Sequence, residues 1–362
     1  AVAGSVGGVE AQSAPNPSDA VAAPSAAPSN AASNGAAPGS SSASALAKLE
    51  ELMEPRGWLA VGSQVPVIDW SQVKLKEKLG SGGSGMTVYR ATVGGLCCAV
   101  KVMEKGHFRP DQIRHFEEEI SMLRLVSECP HIVKYLHHTV SASEICLFME
   151  YLPASLFDVI KQRRATLKHF SAYTIASVSL EIIKGIHYLH SHDPPILMRD
   201  IKSANVFVSV GSNDQFVDVK VGDFGVSREM NSNNKAQTFI GTPGWMCPTI
   251  IAMKGRKRRP GEVEDPNEGY TVSVDIFAFG MVMYELLALK QPYSKENDIF
   301  GLVKRGVKPE LPPGLTSDAR YADLIKLHLA CIAFEPAERP TSKEVLVRLS
   351  TMLSKIAPPK AQ

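Results

Sequence analysis

The chain has 362 residues, 44% of them hydrophobic and 21% charged, with 39 lysines and arginines against 37 aspartates and glutamates. That much apolar material can build a sizeable core and excludes a wholly disordered chain, while the near balance of charge gives no general pull toward nucleic acid. No apolar stretch reaches the roughly 20 residues of a membrane-spanning helix, which excludes a membrane span, and six cysteines without C-x-x-C or metal spacing fit reduced thiols in the cytoplasm. At about 150 residues per domain the length predicts two to three domains. The chain opens on alanine without a basic, then apolar, leader, which leaves open a processed product or an excerpt of a longer polypeptide.

Residues 1–47 contain no Lys, Arg, Phe, Tyr, Trp or Ile, so they read as a disordered low-complexity leader. Residues 48–67 form a linker whose Leu49, Leu52 and Met53 sit at helical spacing before Pro55 and Gly57. From Ile68 the pattern becomes that of a folded domain. Val73 to Leu79, Val88 to Val93 and Leu96 to Met103 read as strands, and Asp111 to Val126 as a helix with Ile113, Phe116, Ile120 and Leu123 on one side. Ile145 to Tyr151 reads as a further strand. Helical patterns then dominate: Ala172 to His190, Val272 to Leu289, Ser317 to Phe334 and Ser342 to Ile356. Strands followed by long helices predict an α+β domain over 68–355, with a small sheet lobe (about 68–151), a larger helical lobe (about 152–355) and a tail from 356 to 362.

The glycines Gly80, Gly82 and Gly85 form a G-x-G-x-x-G turn. A dinucleotide fingerprint needs a helix directly after such a turn, but Thr87 to Val93 is β-rich, so a glycine hairpin that lets backbone approach phosphate remains. Lys101 shares a strand face with Ala99 and Met103, where a lysine is costly unless a carboxylate or phosphate satisfies it. Glu119 falls on the apolar stripe of the following helix and supplies that carboxylate. Downstream, Asp200, Lys202 and Asn205 at positions 0, +2 and +5, with a second aspartate at Asp223, supply a base, a cation and two hard oxygen ligands suited to Mg2+. Phosphoryl transfer needs those parts.

On these motifs the chain resembles the eukaryotic protein kinases over about residues 68 to 355. Trp70, Leu189 to Leu197, Lys202-Ser-Ala-Asn205 and Gly241-Thr-Pro-Gly-Trp-Met246 resemble the tyrosine-kinase-like group, near Raf and mixed-lineage kinases. The resemblance implies a two-lobed kinase fold using ATP and Mg2+. It makes Leu79, Gly80, Gly82, Gly85, Val88 and Ala99 nucleotide contacts, Lys101 and Glu119 the phosphate-positioning pair, and Met149 the gatekeeper ahead of hinge residues Glu150 and Tyr151. It also makes Asp200 the catalytic aspartate, Lys202 the γ-phosphate cation, and Asn205 and Asp223 the metal ligands, with Asp275 bracing the catalytic loop. Lys202 and Thr242 resemble the serine/threonine pattern, so protein hydroxyls are the expected acceptors. The 223–249 loop is then a regulatory segment, open to an upstream kinase or to self-phosphorylation, in which Arg199 could pair with a phosphate on Thr238 or Ser232.

Four departures from the family pattern stand out. Met198 replaces the histidine before Arg199, where it would pack against Phe224 and Leu123. Cys247-Pro-Thr249 replaces Ala-Pro-Glu, which deprives Arg339 of its carboxylate and leaves Glu335, Glu338 or a loosely held activation segment as outcomes. The valine of the glycine loop comes one place late, at Val88 after Thr87. An insertion carries Arg256 to Arg259 and the acidic 262–265 run: a solvated loop, or a docking or nuclear-import patch. The rival reading is a pseudokinase, a nucleotide-binding scaffold without catalysis.

Overall fold

Gly94 and Gly95, at φ 56° and 87°, turn strand β2 (Met86–Val93) back on strand β3 (Leu96–Glu104), using the left-handed conformations that glycine adopts without penalty. With β1 (Val73–Ser81), β4 (Tyr135–Val140) and β5 (Glu144–Glu150) these make an antiparallel sheet in the order β1-β2-β3-β5-β4. The computed structural model describes residues 73–81, 86–104, 106, 108–141, 143–211, 215–229, 241–253 and 271–356. The expected leader, the 48–67 segment, Gly82, Gly85, Ser232, Thr238, the 256–265 insertion and all but Ile356 of the tail lie outside these residues.

One face of the sheet packs on helix α1 (Pro110–Leu125), whose Ile113, Phe116, Ile120 and Leu123 are buried as the periodicity predicts. After β5 come β6 (Ala154–Ser155), α2 (Leu156–Ala165) and α3 (Ala172–His190). Both helices start on serine caps, Ser155 accepting from the Asp158 N–H and Ser171 from the Thr174 N–H. Strands β7 (Ile196–Leu197), β8 (Val206–Val210), β9 (Phe216–Val221) and β10 (Arg228–Glu229) surround a single 3-10 turn, Ser203–Asn205. The helical lobe continues with α4 (Pro248–Met253), α5 (Val272–Ala288), α6 (Ile299–Lys304), α7 (Pro313–Thr316), α8 (Ala322–Cys331) and α9 (Ser342–Lys355).

Helix α5 is the axis of this lobe. Every residue from Val274 to Ala288 is buried, charged Asp275 and Glu285 included. One predicted helix is corrected. Ser317 to Phe334 is broken into a 3-10 turn at Ala319–Tyr321 and α8, because the Asp318 carboxylate accepts the Arg320 N–H and caps a new start. The elements not expected include β4, α2, the β8–β9 hairpin and the short helices α4, α6 and α7. Among the described residues no helix is long and apolar enough to cross a membrane, and all six cysteines are free thiols.

Candidate active site

The strand pairing decides which side chains meet. Lys101 lies opposite Val88 on β2 and Leu147 on β5, and Ala99 opposite Met149. Directly paired residues share a face, so Val88, Ala99, Lys101 and Met149 point the same way and Thr87 points to the other. The late valine therefore still occupies the lysine's face. Leu79 is partly exposed beside Gly80, which pairs with Val88 across an irregular stretch of β1.

Lys101 Nζ donates to both oxygens of Glu119, at 2.7 and 2.8 Å, and stands 3.7 Å from Asp223 Oδ1. Burial pushes the Lys101 ammonium down, but Glu119 and Asp223 outweigh it and hold it above the usual lysine range. Glu119 lies deeper, and there burial wins over Lys101 and raises the carboxyl. The compensating pair expected from sequence is present.

At the hinge, the Glu150 N–H donates to the Lys134 carbonyl, and its carboxylate accepts from the Lys134 N–H at 2.6 Å and from Lys220 at 2.8 and 2.9 Å. Alternation along β5 turns the Glu150 side chain to the face opposite Met149. Tyr151 carries the Arg90 guanidinium 5.1 Å from its ring centre.

The loop between β7 and β8 gathers the remaining groups. Thr242 Oγ1 donates to Asp200 Oδ1 at 2.8 Å, and Lys202 Nζ donates to Asp200 Oδ2 at 2.6 Å and to Thr242 Oγ1 at 3.0 Å. Asn205 Nδ2 donates to the Asp200 carbonyl at 2.9 Å, which fixes the amide and leaves Oδ1 as its free acceptor. Arg199 and Asp223 hold positive φ, 64° and 62°, a conformation that costs roughly 1–3 kcal/mol in a non-glycine residue and needs support. Asp275 supplies it on one side, accepting the N–H groups of Met198 and Arg199 at 2.9 Å each while His190 Nε2 lies 3.1 Å away. Gly241, at φ 121°, passes so close that a Cβ there would meet the Arg199 carbonyl at 3.1 Å.

Met198, Phe224 and Leu123 are each about 1% exposed within one core cluster, so the methionine packs where it was expected to. Arg199 Nε donates to the Val226 carbonyl at 2.8 Å, and β10 pairs with β7, which ties the chain after Asp223 to the strand leading into Asp200. A loosely held segment no longer follows from an orphaned arginine, because Arg339 has acceptors. Arg339 donates to the carbonyls of Ala333, Ser273 and Phe334 at 2.9, 3.1 and 2.9 Å, so backbone replaces the missing carboxylate rather than Glu335 or Glu338.

Sequence reasoning missed Glu285. It accepts from the Ser203 hydroxyl and N–H and from Trp245 Nε1. The signal was available: one carboxylate between Tyr284 and Leu286 in a helix otherwise apolar from Ile276 to Ala288.

The donor set can be tested for metal. Among the described residues no three His, Cys, Asp or Glu side chains cluster to hold an ion. Asn205 and Asp223 offer two hard oxygens, with Asp223 45% exposed toward solvent. That fits Mg2+, which takes one or two protein oxygens and fills its octahedron with phosphate oxygens and water.

Comparison with known proteins agrees with this geometry. The protein kinase domain model matches residues 73–348. A Dictyostelium discoideum protein named kinase and exchange factor for Rac B is 34% identical over 285 residues, covering 78% of this chain and 24% of its own. The Arabidopsis thaliana serine/threonine-protein kinase CTR1 is 29% identical over 301 residues, covering 81% and 33%. The probable serine/threonine-protein kinase drkA of Dictyostelium discoideum is 28% identical over 289 residues, covering 79% and 40%. The chain thus spans less than half the length of these relatives. With the fold, the motif spacing and the matched residues in agreement, the chain belongs to the protein kinase family.

Proposed function

We propose that the protein transfers the γ-phosphoryl group of ATP to serine or threonine hydroxyls of protein substrates in a signalling cascade. The observation that carries this is the triangle of Asp200, Lys202 and Thr242, closed by three hydrogen bonds of 2.6 to 3.0 Å. A carboxylate held between a cation and a hydroxyl is aimed, as a group that orients an alcohol must be.

Gly80 near the end of β1 lets backbone approach the phosphates, and Leu79, Val88, Ala99 and Met149 enclose the adenine beside Glu150 and Tyr151. Lys101, kept in place by Glu119, pairs with the α- and β-phosphates. Asn205 and Asp223 would hold Mg2+, which neutralises charge on the phosphate oxygens. Asp200 orients the substrate hydroxyl and takes its proton as the new O–P bond forms and the bond to the β-phosphate oxygen breaks, releasing ADP. Lys202 offsets the charge on the transferring group.

The scaffold-only reading drew on Met198, Thr249 and the altered glycine loop, whose late Val88 still pairs opposite Lys101. Packing accommodates the first and backbone carbonyls the second, so none supports loss of chemistry. Phosphorylation of the 223–249 loop, by another kinase or by the protein itself, and a cytoplasmic site of action belong to the same proposal. The test is transfer from radiolabelled ATP to a generic acceptor protein, followed by phosphoamino-acid analysis. Wild type should label serine and threonine, and Asp200→Asn should label neither. Equal labelling by the two proteins overturns the mechanism.

A further inference from the structure

The hydrogen bonds around the Asp200 triangle close into a circuit that passes through helix α5. Starting from Asp200, the path runs to Lys202 and along the chain to Ser203. The Ser203 hydroxyl donates to Glu285 Oε1 at 2.5 Å and its N–H to Oε2 at 3.2 Å. Trp245 Nε1 donates to the same Oε2 at 2.9 Å, and the Trp245 N–H donates to the Thr242 carbonyl at 2.9 Å. The Thr242 hydroxyl then returns to Asp200. Glu285 is the one member of this circuit on a different element from both the Asp200 loop and the Thr242 segment, and it is 1% exposed. Three donors on one carboxylate leave little freedom for either segment to slide against the other.

We propose that Glu285 is a positioning residue of the phosphotransfer site: through Ser203 and Trp245 it sets the separation between the Thr242 hydroxyl and Asp200. The inference rests on the kinase reading and deepens it. It also explains why a carboxylate stands in the buried core of α5, where burial pushes its pKa up to about 7 against the lowering effect of Ser203 and Trp245. Leucine at 285 keeps the volume but leaves the Trp245 and Ser203 N–H groups without an acceptor. Glutamine keeps an oxygen for them and a donor toward the Ser203 oxygen, which can accept.

The decisive experiment is a double-mutant cycle on the full chain with Glu285→Leu and Thr242→Ala, using steady-state kinetics with an acceptor protein. Glu285→Leu should lower kcat about a hundredfold, the scale of a misplaced reacting group, with KM for ATP changed less than about twofold. Glu285→Gln should recover to within about fivefold of wild type. In the Thr242→Ala background Glu285→Leu should cost little more, because the group it positions is already gone. Additive losses, or a rise in KM for ATP that accounts for the defect, overturn the proposal. Should Glu285→Leu fail to fold, the same cycle is run with Trp245→Phe, which removes one donor and keeps the carboxylate. A readout without turnover separates this proposal from the kinase reading itself. The Trp245 indole 1H–15N resonance, assigned with Trp245→Phe, should shift in both Ser203→Ala and Thr242→Ala. A resonance unmoved by both overturns the circuit whether or not the wild type transfers phosphate.

Discussion

The Arg339 guanidinium lies 5.0 Å from the centre of the Phe277 ring, with three of its N–H groups on backbone carbonyls. Burial pushes its pKa down against the smaller opposing effects of Cys247 and Glu335, and its hydrogen bonds and the ring face are in place. Thr249→Glu is therefore expected to leave stability within about 0.5 kcal/mol and phosphotransfer within about twofold of wild type. Arg339→Met removes a buried guanidinium that donates to three backbone carbonyls and should cost about 3 kcal/mol. Urea unfolding of the two variants checks both. A large gain from Thr249→Glu would mean the segment is under-held after all.

Met198 is expected to be a packing residue only. Its side chain is 1% exposed, and the bond that matters at this position comes from its backbone N–H to Asp275. Met198→His changes the side chain and leaves that bond, so turnover should move by less than about tenfold in either direction. A hundredfold gain in a steady-state assay would identify Met198 as a disabling substitution.

Lys101→Met should abolish transfer and also make stability more sensitive to pH. With the ammonium removed, Glu119 loses the partner that opposes its burial, so its already raised carboxyl climbs further. A carboxyl whose folded pKa lies above its unfolded value contributes stability when protonated, at low pH, and loses it as pH rises through the folded pKa. The cost of Lys101→Met, about 3 kcal/mol for one broken buried pair, should thus be smaller at pH 6 than at pH 8. Chemical unfolding at the two pH values measures the difference, and a pH-independent cost would contradict it.

Glu285 gives a second pH signature by the same sign. Its carboxyl is raised from 4.5 to about 7 in the folded protein. The Glu285 contribution to stability is therefore fully present below about pH 4.5 and falls by about 3 kcal/mol as pH climbs through 7, a span of about 2.5 pKa units. Glu285→Gln cannot titrate. The difference in melting temperature between wild type and Glu285→Gln should shift against the wild type from pH 5 to pH 8, and a constant difference would show that Glu285 ionises normally.

The parts of the site legible in sequence were those where a charge interrupts a regular pattern. Lys101 in an apolar strand, Glu119 on an apolar helical stripe and the spacing of Asp200, Lys202 and Asn205 each break a period that burial would otherwise enforce. Strand β4 was hidden because its sequence, Tyr-Leu-His-His-Thr-Val, puts two histidines where alternation should show. His138 is nevertheless 4% exposed, with Nδ1 2.6 Å from the Tyr135 hydroxyl. The partners of Arg339 could not be read at all, since carbonyls are carried by every residue and only the folded chain selects three of them. Glu285 was legible and overlooked, in a helix whose uniform burial offers no polar face against which to notice it.

Helix α5 also works as a ruler. Asp275 grips the backbone before Asp200, and Glu285 grips Ser203 and Trp245 beyond it, ten positions further along the same rod. At 1.5 Å per residue the two carboxylates sit about 15 Å apart along the axis, turned by about 80°. Deleting or inserting one residue between them would rotate one grip by about 100° relative to the other, so both could not hold at once. The span between these two acids is thereby fixed in length by the two grips together, not by either one alone.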